Sequence, residues 1–509
     1  MRSRLAIGVA VFAIAFAGIS LLRSGSELHP PFPKRDAVRA ALRDKGVRSV
    51  LAGSGWTDAR VIALDRTHWR VTFFAGPRYV LDAAVNPGGR VDATEAHTAA
   101  QHNPGGSTIV WNRAVLFGLA ALFVLAVAIT PLRSRRNLDA VVIAGGFTAS
   151  AWLLDERLLA AHVYVGAAAL LYVAIRCLLV ALDTRPAAAA VAPDLGRLLL
   201  PVTAATVVAA VIIVVTSTGI TDVAFAALAG GTLLNHGISP YGHIPVEVVH
   251  GDTYPLLTYV LYMPFAAVAP VRDSFDSLDG ALWLNAVALV AAAAIIFRRW
   301  GERTTLAWLA FPPVLLAASG GGNDVPAALF VVAALATFAR SELSVGLLTL
   351  AGWVKIAPAV ALVAWIARLR GRSLLRALAV VAVLLAAGFV AILAFGGAGA
   401  VDKAVSALRF QLERGSWFSV WRQLGVPGLQ VACQALTITF LVMTAVAVRR
   451  RPDLSFRRAA ALAGTAVALV QLSANYWLYV YLPWLLPFIL VALFPPAPQR
   501  SPQSEPPAP

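Results

Sequence analysis

Two acidic residues stand at the ends of a polar segment that separates two long apolar runs. Asp222 follows the run 198–215 by a few residues, and Asp252 lies just before the run 255–271. A carboxylate at the edge of an apolar run is partly desolvated, which suits a general base that removes a proton from a hydroxyl group. For Asp252 the candidate ligand is a divalent ion or a sugar hydroxyl. Both acids also have a plainer interpretation as the caps of helices.

The same polar segment contains tyrosine and histidine side chains. Tyr241, which follows glycine and proline helix breakers and is expected at the surface, and Tyr254 are candidate substrate-binding residues. His236, His243 and His250 recur every seven residues, but the breakers between them prevent a common helical face. The pattern therefore does not favour a histidine metal site. The metal ligands stay unassigned, with Mg²⁺ or Mn²⁺ as the candidate cation.

A second set of polar residues interrupts later apolar runs. Asn323 and Asp324 follow three glycines, and Lys355, one of only four lysines among 42 basic residues, lies within the run 343–367. A charge at that depth is costly without a purpose. We therefore predict that Asn323 and Asp324 bind substrate and that Lys355 pairs with a lipid phosphate. The alternatives are a capped tight turn at Asp324 and snorkelling of Lys355 to the interface.

Aromatic residues accompany an arginine in the segment FQLERGSWFSVW, residues 410–421. Arg414 is predicted to hold a phosphate, while Trp417 and Trp421 stack on a sugar ring. Tyr476, in the segment NYWLYVY, has the same interpretation. The alternative for these aromatic residues is the belt that tyrosine and tryptophan form at a membrane interface, and for NYWLYVY the belt is favoured.

The composition places these residues in a membrane protein. The chain has 509 residues, 59% of them hydrophobic and 13% charged, and its apolar runs have the length that a helix needs to cross a bilayer. The net charge of +16 comes from arginines in short loops, which is typical of loops kept in the cytoplasm and not of nucleic-acid binding. Both cysteines lie in apolar runs, so neither a disulfide framework nor a thiolate metal site is expected.

The order of polar and apolar segments predicts five parts of the chain. They are a membrane anchor at 1–23 (a signal peptide is the alternative), an extracytoplasmic α+β domain at 24–111 that weakly resembles PepSY domains, accessory transmembrane helices at 112–197, a transmembrane catalytic module at 198–495, and a disordered cytoplasmic tail at 496–509. Within the α+β domain, the periodicity predicts a helix at 36–47, strands at 59–65, 68–75 and 78–86, and turns at 76–77 and 86–89. Both termini are predicted to be cytoplasmic.

The middle of the chain has two topologies open to it. If every apolar run crosses the bilayer, the basic loop 298–303 lies outside, against the usual distribution of basic loops. If 255–271 is re-entrant and 343–367 is a hairpin broken near Lys355, the basic loops stay inside and Asp324 lies outside. The second topology is favoured. Either one gives an all-α polytopic protein with about 12 to 14 transmembrane helices.

The order of the motifs resembles that of a known class of enzymes. After the span and acid at 198–222 come LLNHGISPYG, DTYPLLTYVLYMPFA, GGNDVPAALFVVAAL, GWVKIAPAVALVAW, FQLERGSWFSVW and NYWLYVYLPWLLPF. This order is similar to that of the GT-C superfamily of integral membrane glycosyltransferases. It looks most like the polyprenyl-phosphate-mannose-dependent α-mannosyltransferases. The similarity covers residues 198–495 and leaves out the α+β domain and the first helices.

The resemblance implies roles for individual residues. Asp222 would match the family's acid in the first outer loop, its base, and Asp252 would match a second polar position there. Asp324 and Lys355 would match an acid and a lysine near the donor, and Arg414 an arginine before a Ser-Trp pair. Relatives often carry an acid in that last segment. RGSWFSVW lacks it, so a carboxylate role there is in doubt.

The function implied by the resemblance is transfer of a hexose, mannose above all, from a polyprenyl phosphate to a lipid or glycan acceptor outside a bacterial plasma membrane. The phosphate is already a leaving group, so no nucleotide-binding domain is required, and no nucleic-acid partner is expected. A divalent cation would share the stabilisation of the phosphate. Two other classes stay open: a transporter or lipid flippase, which would be expected to carry an internal hydropathy repeat, and a non-catalytic assembly or sensing protein.

Overall fold

The computed structural model describes residues 30–63, 68–75, 78–96, 105–156, 158–183, 196–244, 251–271, 278–413, 416, 418–450 and 454–495. Within them the protein is mostly helical, with several apolar helices and one small sheet near the N-terminus. The predicted class, an all-α polytopic membrane protein with a small α+β domain, is confirmed. The predicted anchor at 1–23, the tail at 496–509 and the turn at 76–77 lie outside the described residues.

The N-terminal domain consists of two helices and a four-stranded antiparallel sheet. Its elements are α1 (Lys34–Arg43), α2 (Lys45–Leu51), β1 (Asp58–Ala63), β2 (Trp69–Ala75), β3 (Arg78–Val85) and β4 (Val91–Ala96), and the strand order is β1-β2-β3-β4. The three predicted strands are confirmed. The fourth was missed because VDATEA alternates with small residues and lacks the aromatic and large branched side chains that signal a strand.

The structure confirms one predicted turn of this domain but not the predicted helix. The turn at 86–89 is confirmed, and Gly89 has a φ of 69°, which a residue with a side chain rarely adopts. The single helix predicted at 36–47 is wrong. Asp44 adopts an extended conformation that ends α1, and its carboxylate accepts a hydrogen bond from Val47 N at 3.0 Å, which caps α2.

The rest of the described chain is helical. The helices are α3 (Thr108–Trp111), α4 (Arg113–Val127), α5 (Arg135–Asp155), α6 (Leu159–Leu182), α7 (Leu199–Val215), α8 (Asp222–Asn235), α9 (Leu256–Val268), α10 (Asp279–Trp300), α11 (Glu302–Ala310), α12 (Pro312–Ser319), α13 (Asp324–Ala336), α14 (Ser341–Val354), α15 (Leu362–Ala367), α16 (Gly371–Glu413), α17 (Val420–Leu424), α18 (Pro427–Arg450), α19 (Phe456–Ser473) and α20 (Leu486–Leu493). Three 3-10 helices lie at Gly196–Leu198, Ala357–Ala361 and Tyr479–Tyr481.

Five of the described helices are long and apolar enough to cross a membrane. They are α5, α6, α10, the part Gly371–Ala407 of α16, and α18. The helices α16 and α18 are mostly exposed, with Leu375 and Leu436 among their uncovered side chains. In a membrane protein such an apolar surface faces lipid.

Two predicted spans differ in detail from the observed helices. The predicted span 304–319 is divided into α11 and α12 at Phe311, because the pair Pro312 and Pro313 begins a new helix and cannot continue the old one. The predicted span 374–395 and the amphipathic stretch 402–412 both lie within α16, but on opposite sides of a break. At Gly397 the backbone is not helical, with a φ of 61° and a ψ of −162°, so α16 consists of two helical parts that meet at a kink.

The chain reverses direction at Lys355. Ser344, near the start of α14, accepts a hydrogen bond from Trp365 Nε1 of α15 at 2.8 Å. Arg368, just after α15, donates to Phe338 O, just after α13, at 2.7 Å. These contacts place the start of α14 beside the end of α15. The predicted hairpin at 343–367 is therefore confirmed.

This reversal defines two ends of the helical bundle. The site end contains Asp324 at the start of α13 and Lys355 at the end of α14. The arginine end contains the basic loops between helices: Arg133–Arg136, Arg298–Arg303, Arg368–Arg376 and Arg457–Arg458. Asp324 and the loop with Arg368 are thus separated by the length of α13.

The helix α9 lies across the site end. Near its start, Thr258 Oγ1 donates to Val354 O at 2.6 Å, and in its middle Tyr262 OH donates to Gly321 O at 2.7 Å. Its last turn lies beside Gly280, where an added Cβ would be 3.0 Å from Phe265 O. All three partners belong to the site end. Both ends of α9 therefore lie at the site end, which agrees with the topology in which 255–271 is re-entrant and not with the one in which every run crosses. The position of these helices in a bilayer stays a prediction.

The sheet of the N-terminal domain packs on the same end of the bundle. One face is covered by α1 and α2 over Phe73 and Leu81. On β3, Ala84 joins a buried cluster with Tyr164 of α6 and Val420 of α17. The domain is therefore seated beside the elements that carry the site.

Close packing near the site end makes Gly166 of α6 intolerant of a side chain. A Cβ there would collide with the indole ring of Trp477, which stacks on His162 at 5.3 Å. We expect Gly166→Ala to lower the stability by about 1–3 kcal/mol, since the ring must leave its position. Thermal unfolding in detergent measures the change. The control is Gly145→Ala in α5, where an added Cβ meets no atom within 4 Å; an equal loss in both variants would contradict the prediction.

Candidate functional site

The site is built around Asp324, the first residue of α13. Its side chain is only 2% exposed although it is a carboxylate. Lys355 Nζ donates to Asp324 Oδ1 at 2.5 Å, and Trp484 Nε1 donates to the same oxygen at 2.9 Å. A buried carboxylate needs such partners, because burial of an isolated charge is strongly unfavourable. The start of a helix adds a favourable dipole for the negative charge.

The position of Lys355 is set by the end of α14. The residue adopts an extended conformation that stops the helix, and its side chain turns towards Asp324 with 13% of its surface exposed. Its ammonium group also lies 3.4 Å from Asn323 Oδ1 and 4.2 Å from the centre of the Tyr481 ring. The predicted proximity of the acid and the lysine is thus observed. Snorkelling to the interface does not describe this lysine, because it pairs inside the bundle.

Asn323 and Thr258 hold three elements together beneath the pair. Asn323 Nδ2 donates to Thr258 Oγ1 at 3.1 Å and to Val354 O at 3.2 Å. The starts of α9 and α13 and the end of α14 are therefore joined by side-chain hydrogen bonds. Because these bonds are buried, they fix the direction in which Lys355 leaves α14.

A row of aromatic rings leads away from the lysine. The Tyr481 ring lies 6.0 Å from that of Tyr476, which in turn lies 5.1 Å from that of Phe418. Tyr481 also lies 6.0 Å from Trp484. Tyr476 and Tyr481 are half-buried. The predicted substrate contact of Tyr476 stays a prediction, but the ring belongs to the row that ends at Lys355.

Two neighbours of Tyr476 contradict the interfacial belt favoured from the sequence. Trp477 and Tyr479 are buried, at 4% and 0% exposure. Trp477 Nε1 donates to Gln471 Oε1 at 2.9 Å, and Tyr479 OH donates to Gly105 O at 2.8 Å. These rings pack inside the bundle. The belt interpretation is therefore wrong for them.

Asp222 lies at the rim of the site end, exposed at the start of α8. The preceding residue, Thr221, anchors that start: its N and Oγ1 atoms both donate to Gly320 O at 3.0 Å. The side chain of Thr221 also borders Gly322, where an added Cβ would be 3.4 Å from Oγ1. The starts of α8 and α13 thus meet at the glycine triplet. The capping alternative applies to Thr221, whose Oγ1 accepts from Ala224 N at 3.3 Å. Asp222 is instead the first residue of the helix, and its Oδ1 accepts from Val223 N at 2.8 Å.

The loop before α9 places Asp252, Tyr241 and Tyr254 in one hydrogen-bonded unit. Asp252 Oδ2 accepts from Gly242 N at 3.0 Å, and Tyr241 OH donates to Tyr254 O at 3.1 Å. The expected surface position of Tyr241 is wrong, because the side chain is 3% exposed between α9 and α16. Burial and the nearby charge of Asp252 raise the pKa of Tyr241. The phenol is therefore a neutral donor.

The arginine-containing segment is described only in part. Arg414 and Trp417 lie outside the described residues, so their predicted contacts with phosphate and sugar stay predictions. Trp421 is half-buried, and its Nε1 donates to Leu472 O at 2.8 Å, which ties α17 to the end of α19. Stacking of a sugar on Trp421 also stays a prediction.

The glycine triplet, the buried acid and the paired lysine fall within the part of the chain that resembles a known family. Residues 253–474 match the model of glycosyltransferase family 87. This is a GT-C-type family of membrane glycosyltransferases, and the match supports that activity for this chain. No curated protein and no solved structure matches it.

The glycosyltransferase family 87 match covers less than half of the chain. It includes Asp324 and Lys355, but it begins after Asp222 and ends before Tyr476. The match does not extend to the N-terminal domain or to α3–α8. The sugar, the donor and the acceptor are not specified by it.

Two residues near the charged pair escaped the sequence-based prediction. Trp484 contacts Asp324 directly, but one tryptophan in an apolar aromatic stretch carries no signal of such a contact. Tyr481 belongs to NYWLYVY, for which the interfacial belt was favoured, and its ring instead lies against Lys355. Asp155, the last residue of α5, acts electrostatically on Tyr479 together with Asp324. The signal for Asp155 was an acid at the end of an apolar run, the same signal that identified Asp222.

Among the described residues, no group of three or more His, Cys, Asp and Glu side chains is placed to hold a metal ion. His236 and His243 instead lie 2.8 Å and 2.9 Å from the carbonyl oxygens of Thr232 and Ser239. The candidate Mg²⁺ or Mn²⁺ stays a prediction. No step below depends on it.

The hydrogen bond from Trp484 should matter to catalysis through Lys355. We expect Trp484→Phe to lower transferase activity by roughly tenfold, since a bond to a charged group is worth about 1.5–3 kcal/mol and Lys355 loses its fixed partner position. Activity per folded protein is the measurement. The control is Trp365→Phe, a change at an equally buried indole that donates to Ser344 near the arginine end. Similar activity losses in both variants would show a general packing effect.

Proposed function

We propose that the protein is a membrane hexosyltransferase that moves mannose from a polyprenyl-phosphate donor to a lipid or glycan acceptor. The single observation that carries the proposal is the buried pair Asp324–Lys355 within the family 87 match. The site end would face the outside of a bacterial plasma membrane, with the arginine end in the cytoplasm. The polyprenyl chain would then lie in the lipid, with its phosphate at the level of the site.

Lys355 would bind the phosphate of the donor. An ammonium group has three donors, and it can share them among Asp324, Asn323 and a phosphate oxygen. When the bond between the sugar C1 and the phosphate oxygen breaks, negative charge grows on the leaving phosphate. A cation held in place by a buried acid stabilises that charge without reorganising.

Asp222 would remove the proton of the acceptor hydroxyl. As the hydroxyl oxygen forms its bond to C1, the proton passes to the Asp222 carboxylate, and the polyprenyl phosphate leaves with the bonding electrons. Exposure at the rim of the site end suits a base that must meet an acceptor arriving from outside. Its link to the donor side is the Thr221–Gly320 contact, which ties α8 to the start of α13.

The remaining predicted residues would orient the two substrates. Tyr476 and Tyr481 offer half-buried rings beside the lysine, and stacking of a sugar on such rings favours one orientation. Asp252, Tyr241 and Tyr254 would shape the acceptor side through the loop before α9. Positioning of two reactants supplies a large part of the rate of such a transfer.

The test uses membrane vesicles that contain the full chain and radiolabelled polyprenyl-phosphate donors carrying mannose, glucose or galactose. We expect label from the mannose donor to appear in a covalent lipid or glycan product. Movement of intact donor across the vesicle membrane without a product would favour the flippase instead. Transfer of another hexose would keep the transferase and correct the sugar. Absence of both movement and transfer would overturn the proposal.

A further inference from the structure

A cavity of about 430 Å³ opens at the arginine end, at the opposite side of the bundle from Asp324 and Lys355. Its wall is formed by the end of α4, the start of α7, the loop between α10 and α11, and the end of α20. This volume is in the range of small-molecule sites. The proposed sugar transfer does not use this cavity.

Positive charge gathers in the inner part of this cavity. Arg136 and Arg303 line it, and Arg457 is close enough to act electrostatically on Arg136, as Arg303 does. Glu302 is the one acidic residue in the wall. Two guanidinium groups and one carboxylate line the cavity, and outside the wall Arg457 lies near Asp183, so three positive charges against two negative ones leave an excess of positive charge. An anion in the cavity would relieve the repulsion among the arginines.

Two of these arginines cap the ends of helices, but capping does not require the guanidinium groups to lie close to one another. Arg136 donates from Nε to Val127 O at 2.9 Å and from Nη1 to Pro495 O at 2.7 Å. Arg457 Nε donates to Ala492 O at 2.8 Å. Both thus satisfy carbonyl groups at the ends of α4 and α20. Those bonds fix the two guanidinium groups, which makes the positive region a rigid one.

The outer part of the cavity is apolar and adjoins surfaces that face lipid. Leu199 and Phe297 line it, and Phe297 is itself exposed. The neighbours of Leu199 in the sequence, Leu198 and Leu200, have 72% and 52% of their surface exposed. Further along α7, Ile212 is also uncovered. An apolar chain leaving the cavity would therefore lie on apolar side chains.

We propose that this cavity binds the head group of an anionic phospholipid, with the phosphate beside Arg136 and Arg303. Arginine binds phosphate oxygens through paired N–H donors, and the apolar mouth accommodates the acyl chains. The combination of a cationic interior with an apolar mouth matches a molecule that has a charged head and an apolar tail. The site is separate from the one at which the sugar donor would bind.

The test is native mass spectrometry of the full-length protein, delipidated in detergent and titrated with phosphatidylglycerol or phosphatidylcholine of the same acyl chains. We expect phosphatidylglycerol to bind, and Arg303→Gln to weaken that binding by roughly tenfold. The control Arg372→Gln removes one exposed arginine from the same end, outside the cavity wall, and should bind like the wild type. Equal binding by Arg303→Gln and wild type would overturn the proposal, as would an equal loss in Arg372→Gln.

A second variant and a second ligand separate the lipid from a free anion. Leu199→Trp fills the apolar mouth while all the charges stay, so it should also reduce phosphatidylglycerol binding. Inorganic phosphate, titrated in a thermal unfolding assay, should stabilise the protein far less than phosphatidylglycerol. Equal stabilisation by inorganic phosphate, or full lipid binding by Leu199→Trp, would identify a small-anion site and reject the lipid. Equal binding of phosphatidylcholine would reject the role of net charge.

Discussion

Replacement of Lys355 by methionine should lower sugar transfer by about 10²–10³-fold, the loss typical of one preorganised group that stabilises developing charge. Methionine keeps the apolar stem of lysine but removes the cation. Transfer from the labelled donor, measured per folded protein, gives the result. Lys355→Arg should retain more activity than Lys355→Met, because it keeps a positive charge near the phosphate.

Loss of activity in Lys355→Met has a second explanation, which is loss of stability. A double variant distinguishes the two explanations. The single change leaves Asp324 buried and unpaired, at a cost of about 3–5 kcal/mol. Lys355→Met combined with Asp324→Asn removes both charges, and such paired replacements are often close to neutral for stability. If Lys355 binds the phosphate, the double variant folds and stays inactive. Recovery of activity in the double variant would mean that the pair serves only the fold.

The chain offers a matched control for this experiment. Arg176 and Asp139 form another buried pair, with Nε to Oδ1 at 2.6 Å and Nη2 to Oδ2 at 2.7 Å. Asp139 lies near the start of α5 and Arg176 near the end of α6, so this pair is close to the arginine end. Removal of both charges there should leave transfer per folded protein unchanged.

Asp222→Asn should lower transfer by about 10²–10⁴-fold with little effect on folding, as expected for removal of a general base. The asparagine can still accept the hydrogen bond from Val223 N, and the residue is exposed, so the start of α8 should be preserved. Transfer and thermal unfolding are measured on the same preparation. Full activity of Asp222→Asn would remove this residue from the reaction.

The control for Asp222 is Asp279, which occupies the equivalent position in its own helix. It is also an exposed aspartate at the first position of a helix, and α10 also begins at the site end. Asp279→Asn changes helix-end electrostatics in the same way but should leave transfer intact. Parallel losses in the two variants would point to a general effect of negative charge at this end, and not to a base at Asp222.

The sequence was informative at two charged residues in an apolar context, although it did not single out Asp155 or the pair Asp139–Arg176. Asp324 and Lys355 were found in this way, and both topological features that depend on them, the hairpin and the common end, are observed. The reason is physical: a charge in a membrane segment is too costly to occur without a partner. The distribution of basic loops placed the two residues on the same side, and the family resemblance placed both near the donor, but the ion pair between them was not predicted.

The cost of a buried charge says nothing about the uncharged residues that contact the pair, so the sequence did not reveal them. Trp484 donates to Asp324 across 160 positions of the chain, yet in the sequence it is one aromatic residue in an apolar run. The course of α9 across the site end depends on the hydroxyl groups of Thr258 and Tyr262, whose partners are carbonyl oxygens that every residue has. Because every residue has a backbone carbonyl, residue types do not indicate which carbonyl accepts such a hydrogen bond, and only the structure shows these contacts.

The two helices that carry the charged pair are shorter than the exposed helices around the bundle. α13 and α14 have 13 and 14 residues, which at 1.5 Å per residue span about 20 Å, whereas a bilayer's hydrocarbon core is about 30 Å thick. The exposed helix α18 has 24 residues and spans about 36 Å. The helices α13 and α14 alone are too short to cross that core, so a charged pair at their common end would lie below the level of the head groups of a bilayer centred on them. Under the proposed function, the phosphate of the donor would have to descend to that level, and water and acceptor would reach it from the outer side.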